Sequence, residues 1–594
     1  MKRYLILVIT AFGLMHISNA QKLNYTIDLE HRFDDTFKVT LDVKGLKEEN
    51  AVYQFASTAP GTYQVMDMGR YVTYFSAFDK KGRELEVDSI SVNKRRILEP
   101  KKVRKITYNI AETWDTPVEK NQIYRMCGSS IEKDHVLING QTVFGFPSGM
   151  QDEPLSIKLN YIEDWEVGTA LEPVGEKTYK ADDYDHIVDS PILLGRLTKA
   201  STDLNGTDID IYTYSKTDKI KSENLLDAMS EMLKAAQAFL VELPVDRYTF
   251  LFHFEDQTWG AWEHSYSSEY VYAEQEWSED FGKRITSTAA HEFFHIVTPL
   301  NIHSEIIEQF NFETPTASEH LWLYEGTTEW ASDLMQLRYG LIDLEEFFGE
   351  LQRKISIDNQ YDPSYSLSKL SLTSYTDEGQ AQYGNIYMRG ALVSGLLDIK
   401  LLELSGGKRG LREVVNELAK EYGSDRAFDE DRFFEVFTAK TYPEIAGFLD
   451  SYVKNAEPLP YKEYYEKIGI KYSEEIRTGK EVSALGMGFG VPDGKIRITA
   501  LDEKLSGSGL EVNDELKGFD GVEINLQNAR QMIGQLRSKS IGDEYVISVI
   551  REGEELEYPI SVLAEDEVLR HVFELDENAT AQQVALREAW MENL

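Results

Sequence analysis

Between Phe281 and Val297 the run FGKRITSTAAHEFFHIV places Ile285, Ala289, Phe293 and Ile296 at helical spacing, and Pro299 stands beyond it as a stop. Within that run His291 and His295 lie one turn apart and therefore share a face, with Glu292 beside the first. The segment has to be a helix, and the helix has to aim two imidazoles at one point. In the pattern His-Glu-x-x-His such a pair can grip one zinc ion while the glutamate polarises a water. Metal-assisted hydrolysis, most often of peptide bonds, is the chemistry that the spacing implies.

Two histidines do not complete a site. A structural zinc is normally closed by four protein ligands, whereas a hydrolytic one keeps a position for water and substrate. Cysteine cannot close this one, because the only cysteine, Cys127, lies far upstream. The missing ligand is expected to be a carboxylate or histidine on a second segment, and His320-Leu-Trp-Leu-Tyr-Glu325-Gly-Thr-Thr-Glu329-Trp supplies candidates. Trp322, Glu325 and Glu329 fall on one helical stripe, so one acid can bind the metal and the next orient a ligand histidine. Glu325 is taken as the ligand and Glu329 as the orienting group. Leu321, Leu323, Trp330, Ala331, Leu334 and Met335 around them predict a buried helix, where an unpaired carboxylate is costly.

These segments resemble the M61 glycyl aminopeptidases, zinc metallopeptidases of the gluzincin group. The matching stretches are HEFFH at 291–295, LWLYEGTT at 321–328, WGAWEH at 259–264 and YMRGALVSGLLD at 387–398, followed by a carboxy-terminal PDZ-like stretch. The resemblance implies one zinc ion per chain on His291, His295 and Glu325, Glu292 as general base, and a thermolysin-like α+β catalytic domain. It also implies that Glu263 pairs with the free ammonium of a peptide substrate, as a similar Gly-x-x-Glu element does in related aminopeptidases. On physical grounds, Gly260 and the following Ala261 permit close approach of a substrate backbone to an edge strand. Tyr387, Tyr383 and His320 are candidate donors to the oxyanion of peptide hydrolysis, and Tyr387, expected just before a helix at 389–402, is preferred. One departure stands out: after His295 the family continues with an Asn and a Lys-Arg pair, where this chain has Ile296-Val-Thr-Pro-Leu-Asn-Ile. The usual basic patch is absent, which puts the usual substrate preference in doubt.

Elsewhere the period of the apolar pattern divides the chain. Residues 1–20 carry Lys2 and Arg3, an apolar run and Ser18-Asn-Ala20, the form of a secretory signal; export to a bacterial periplasm or beyond is expected, without a transmembrane anchor. Residues 21–205 alternate polar and apolar in short runs, as at Thr36–Val43 and Leu155–Tyr161, and predict a β-sandwich-like domain. Helical periods dominate 206–470, the expected peptidase domain. Residues 475–565 return to short strands around one helix and a Gly-Leu-x-x-x-Asp-x-Leu stretch, the PDZ-like α/β module, able to bind a chain terminus or an intramolecular partner by strand addition. Residues 566–594 read as an acidic and then helical tail. A net charge of −40 excludes nucleic acid, because phosphates are repelled. The expected activity is removal of amino-terminal residues, small ones such as glycine or alanine, from peptides. A zinc endopeptidase on the same site is the alternative, and a PDZ-based binding protein with a lapsed zinc site is less favoured.

Overall fold

The computed structural model describes residues 23–592 apart from positions 33, 163, 259 and 425, and divides the chain into two compact units. One comprises the chain up to Gly469 together with the segment from Asn578; the other is Ile470–Glu577. The expected signal segment, 1–20, lies outside the described residues. No described helix is long and apolar enough to cross a membrane.

The first unit begins β-rich. Leu23, Tyr25 and Ile27 alternate with polar neighbours, and that period of two buries one face of the strand Leu23–Asp28. This strand lies between Thr36–Asp42, antiparallel, and Leu155–Asn160, parallel with Leu23 opposite Leu155, inside an eight-stranded sheet. Two four-stranded sheets accompany it. The core is aromatic, and four of its hydroxyls are spent on one stretch of backbone. Tyr25 and Tyr53 donate to the Gly145 carbonyl (2.6 and 2.8 Å), Tyr108 to that of Val143 (2.9 Å) and Tyr184 to that of Phe144 (2.8 Å). These four buried phenols are thereby satisfied, and residues 143–145 are pinned from several sides.

A five-stranded sheet follows, in the order Thr198–Leu204, Thr207–Ser215, Arg247–Glu255, Ser267–Ala273, Gly260–His264. The middle three strands are parallel, and Gly260–His264 closes one edge antiparallel to Ser267–Ala273. Helices Ser222–Leu240 and Glu279–Phe294 precede a mostly helical region, in which Thr327–Tyr339, Leu344–Asp358 and Asn385–Ser405 are the long members.

The second unit holds a two-stranded antiparallel ribbon of Ile470–Ala484 with Leu563–Leu575, and a six-stranded sheet accompanied by the helix Ala529–Arg537. Ile498, Leu516, Tyr545, Ile547 and Val549 of the sheet and Leu536 of the helix form its own small core.

The tail expected at 566–594 is divided between the units. Residues up to Leu575 finish the ribbon, whose sparse apolar alternation on two half-exposed faces resembles unstructured acidic sequence. Helix Ala581–Glu592 belongs to the first unit, where Trp590 is buried against Phe347 (ring centroids 5.5 Å) and its carbonyl accepts from Arg338 Nε at 2.8 Å. Arg338 is itself buried in an ion pair with Asp398 at 3.2 Å. Truncation of Trp590 to Ala is therefore expected to destabilise the first unit by about 3–5 kcal/mol, visible as a lowered calorimetric transition. An unchanged melt would mean that the helix is dispensable.

Candidate metal centre and cleft

The helix Glu279–Phe294 starts at Ser278, whose hydroxyl accepts the Phe281 amide (3.2 Å), with Glu279 and Asp280 in its first turn. At its other end Asn301 Nδ2 donates to the Ile296 carbonyl (2.6 Å). Orientation comes from the phenylalanines between the histidines. Phe293 meets Tyr248 and Phe250 of the sheet (4.9 and 5.9 Å), and Phe294 meets Phe239 (5.5 Å). With Phe293 buried on the sheet and Phe294 against the helix Ser222–Leu240, His291 and His295 are left to line a cleft of about 370 Å³.

Glu325 arrives on a different backbone from the one the sequence predicts. Residues Trp322–Gly326 form a π-helical turn, continuous with the α-helix Thr327–Tyr339, so the stripe through Trp322, Glu325 and Glu329 is not regular α-helix. Such a turn shifts the side chains before it relative to those after it, and is found most often at functional sites. Here Glu325 Oε2 lies 3.5 Å from Nε2 of both histidines, which are 3.3 Å apart. Gly326 makes this approach possible: a Cβ there would stand 2.6 Å from Gly390 Cα on the helix Asn385–Ser405.

The outer nitrogens are fixed. His295 Nδ1 donates to the Thr298 carbonyl at 2.9 Å, and His291 Nδ1 to Glu329 Oε2 at 2.9 Å. A neutral imidazole that donates through Nδ1 presents a lone pair at Nε2. With both rings neutral, two lone pairs and a carboxylate oxygen converge, an arrangement that draws in a cation, whether a proton or a metal ion. The donor set suits zinc, which takes imidazole nitrogen and carboxylate oxygen. The local field agrees. Against the cost of burial, Glu263 and Glu325 pull His295 up to about 9, and His295 and His291 hold Glu325 down at about 2. Glu329 is held in turn by Lys354, a buried cation that also pairs with Asp333 at 3.1 Å. Lys354 was not legible as part of the site, since nothing in its local sequence links residue 354 to residue 291.

Glu292 lines the same cleft. Burial pushes its carboxyl up to about 7, against the pull of His291 and His295. Glu263 and Ala261 reach the cleft from the edge strand Gly260–His264, while Gly260 at its start has φ +114°. Trp259, the first residue of that matched stretch, lies outside the described residues. The Glu263 carboxylate comes within 4.8 Å of the ligand atoms of Glu292 and His295, and burial raises it.

Tyr387 sits with its ring 5.6 Å from His291 and its hydroxyl 3.5 Å from that of Tyr383. It lies inside the first turn of the helix Asn385–Ser405 rather than before one at 389, because the helix begins earlier than the Arg-Gly pair suggests. His320 is elsewhere: fully buried beside Phe428, Phe433 and Phe434, it donates from Nε2 to the Glu430 carbonyl at 2.9 Å. The β-rich segment contributes cleft residues that no motif announced. Gly61, at φ +73°, passes so close that a Cβ would lie 2.7 Å from Glu263 Oε1. Thr62, Tyr124 and Met126 line the wall beside it.

The chain matches the M61 peptidase N-terminal domain over residues 24–196 and the M61 glycyl aminopeptidase domain over residues 284–393. The second match spans both histidines, Glu325 and Tyr387. The chain is a metallopeptidase that resembles the M61 family over these two stretches. Among solved structures, the metallopeptidase is similar to an aminopeptidase N family protein from Idiomarina loihiensis, 20% identical, covering 96% of this chain and 100% of that one with a TM-score of 0.75. That likeness is one of fold. A two-domain M1 zinc metallopeptidase aligns more weakly, at 13% identity over 74% of this chain and 95% of that one, TM-score 0.45. No curated protein gives a significant sequence match.

Proposed function

We propose that this metallopeptidase is an exported aminopeptidase that holds one zinc ion on His291, His295 and Glu325. Bound there, zinc would supply the Lewis acidity that polarises a peptide carbonyl and lowers the pKa of water. The remaining work falls to the chain. Glu292 takes the proton of the attacking water and returns it to the leaving amine, a task suited to a carboxyl poised near 7. The Tyr387 hydroxyl donates to the carbonyl oxygen as it becomes an oxyanion. Glu329, locked by Lys354, keeps the His291 ring in its tautomer. A substrate backbone can add beside Gly260 and Ala261 on the edge strand. The leader-like segment 1–20 supports a periplasmic or secreted setting.

The observation that carries the exopeptidase reading is the place of Glu263, a second carboxylate within 4.8 Å of the ligand atoms of Glu292 and His295. A free ammonium held by Glu263 fixes the first carbonyl over the ligands, whereas an acetylated end leaves that carboxylate desolvated and unpaired. Acetylated peptides are expected to be cleaved far more slowly than free ones. Glu263→Gln should lower kcat/KM on free peptides by about 2–4 kcal/mol in transition-state stabilisation and narrow the gap to blocked ones. Steady-state kinetics on both substrates, with the melt checked alongside, test this. Equal cleavage by the wild type would make the enzyme an endopeptidase.

For residues 475–565 the proposal is a PDZ-like module. Its support is the sheet with a single helix and the edge strand Met487–Gly490, flanked by Leu485 and Ile533 of the same apolar cluster, where a peptide terminus can add as a strand.

A further inference from the structure

Behind Glu263 a second cleft opens, about 580 Å³, which shares Gly61, Trp262 and Glu263 with the catalytic one. Its walls are acidic. Asp182, Asp183, Asp185 and Asp189 come from the short helix Tyr184–Val188 and its flanks, Asp246 from the segment before the strand Arg247–Glu255, and Glu308 from the far side. The basic side chains that line it, Lys180 and Arg247, are engaged: Lys180 pairs with Glu172 at 2.7 Å, and Arg247 lies over the Tyr266 ring at 5.4 Å.

A buried side chain that lines the cleft carries a polar atom with no hydrogen-bond partner among the described residues. His264 is 1% exposed, and its Nδ1 faces Asp189 at 3.5 Å. If Nδ1 carries the hydrogen towards that carboxylate, Nε2 is a buried acceptor, and it has no hydrogen-bond partner among the described residues. A buried acceptor left alone is costly, and one among carboxylates calls for a ligand that brings donors and positive charge together. The mutual repulsion is already felt within the cluster: burial, Asp183 and Asp189 push Asp185 up to about 7.

We propose that this acidic cleft receives the side chain of the residue being removed, and that the preferred residue is lysine or arginine. The inference rests on the aminopeptidase reading. If Glu263 holds the ammonium, the side chain on the adjacent carbon leaves from beside Glu263, which lines both clefts. The segment after His295 lines this cleft with Pro299, Leu300 and His303 and brings no lysine or arginine to it. Glycine or alanine would reach none of these groups.

The test uses the zinc-loaded, full-length enzyme and aminoacyl-coumarin amides of lysine, arginine, norleucine, alanine and glutamate near neutral pH. Lysine and arginine are expected to exceed norleucine, which matches lysine in length without its charge, by about ten-fold or more in kcat/KM, and the advantage should shrink as salt screens it. The double variant Asp182→Asn, Asp246→Asn, which removes charges without touching His264 or Glu263, should lower the lysine-to-norleucine ratio. Cleavage of norleucine or alanine as fast as lysine, or a ratio unmoved by the double variant, overturns the basic preference and leaves the aminopeptidase standing. Cleavage of none of these amides, with acetylated internal peptides still cut, overturns the aminopeptidase reading and this inference with it.

Discussion

Glu292→Gln is expected to leave metal binding intact and to reduce turnover by about 10²–10⁴-fold, the share that a positioned general base contributes. The two effects separate because of where Glu292 stands. It lies beside His291 on the same helix, yet His291, His295 and Glu325 bring three donor atoms together without it. Glutamine keeps its volume and its place against the cleft but cannot accept a proton. Burial already biases this carboxyl toward the neutral form, up to about 7, so a neutral amide is tolerated with little cost to the fold. Elemental analysis for zinc together with steady-state rates decides the matter. Wild-type turnover in the variant would remove Glu292 from the mechanism, and loss of zinc would mean that it is a ligand after all.

The parts of the site that follow from one stretch of chain were readable from it. His291, Glu292 and His295 are fixed relative to each other by helical geometry alone, and the phenylalanines between them name the buried face. Glu325 and Glu329 were readable as candidates because carboxylates in so apolar a segment need partners. Their backbone was not: a π-helical turn leaves no periodic signature in five residues, and the close contact of Gly326 with Gly390 at its end joins positions far apart in sequence. The same limit hid Lys354, Gly61 and the acidic cleft, which exist only once separate elements are brought together. The carboxy-terminal segment misled for a different reason. Ribbon strand Leu563–Leu575 has no buried face strong enough to mark it, and the importance of Trp590 lies in Phe347 and Arg338, which its neighbours in sequence do not reveal.

His295→Ala is expected to abolish one-to-one zinc binding, and Glu329→Gln to weaken it by about 10–100-fold while sparing the fold. The contrast tests the arrangement of the site rather than its mere presence. His295 is 1% exposed and contributes one of three converging donor atoms; alanine leaves two, with the Thr298 carbonyl losing its donor as well. Three ligands reduced to two no longer define a hydrolytic zinc site. Glu329 touches only the outer nitrogen of His291, at 2.9 Å, and its charge is held well below the usual carboxylate range, against burial, by Lys354 and His291. Glutamine can still accept from His291 Nδ1, so the tautomer survives, but the ring loses the anion that made it a stronger base. Lys354 retains Asp333 as a partner at 3.1 Å, which limits the damage to stability. Zinc titration against a competing chelator measures both affinities, with melting curves to exclude unfolding. Equal, undiminished binding in both variants would place the ion elsewhere; equal loss in both would make Glu329 a ligand and displace Glu325 from that role.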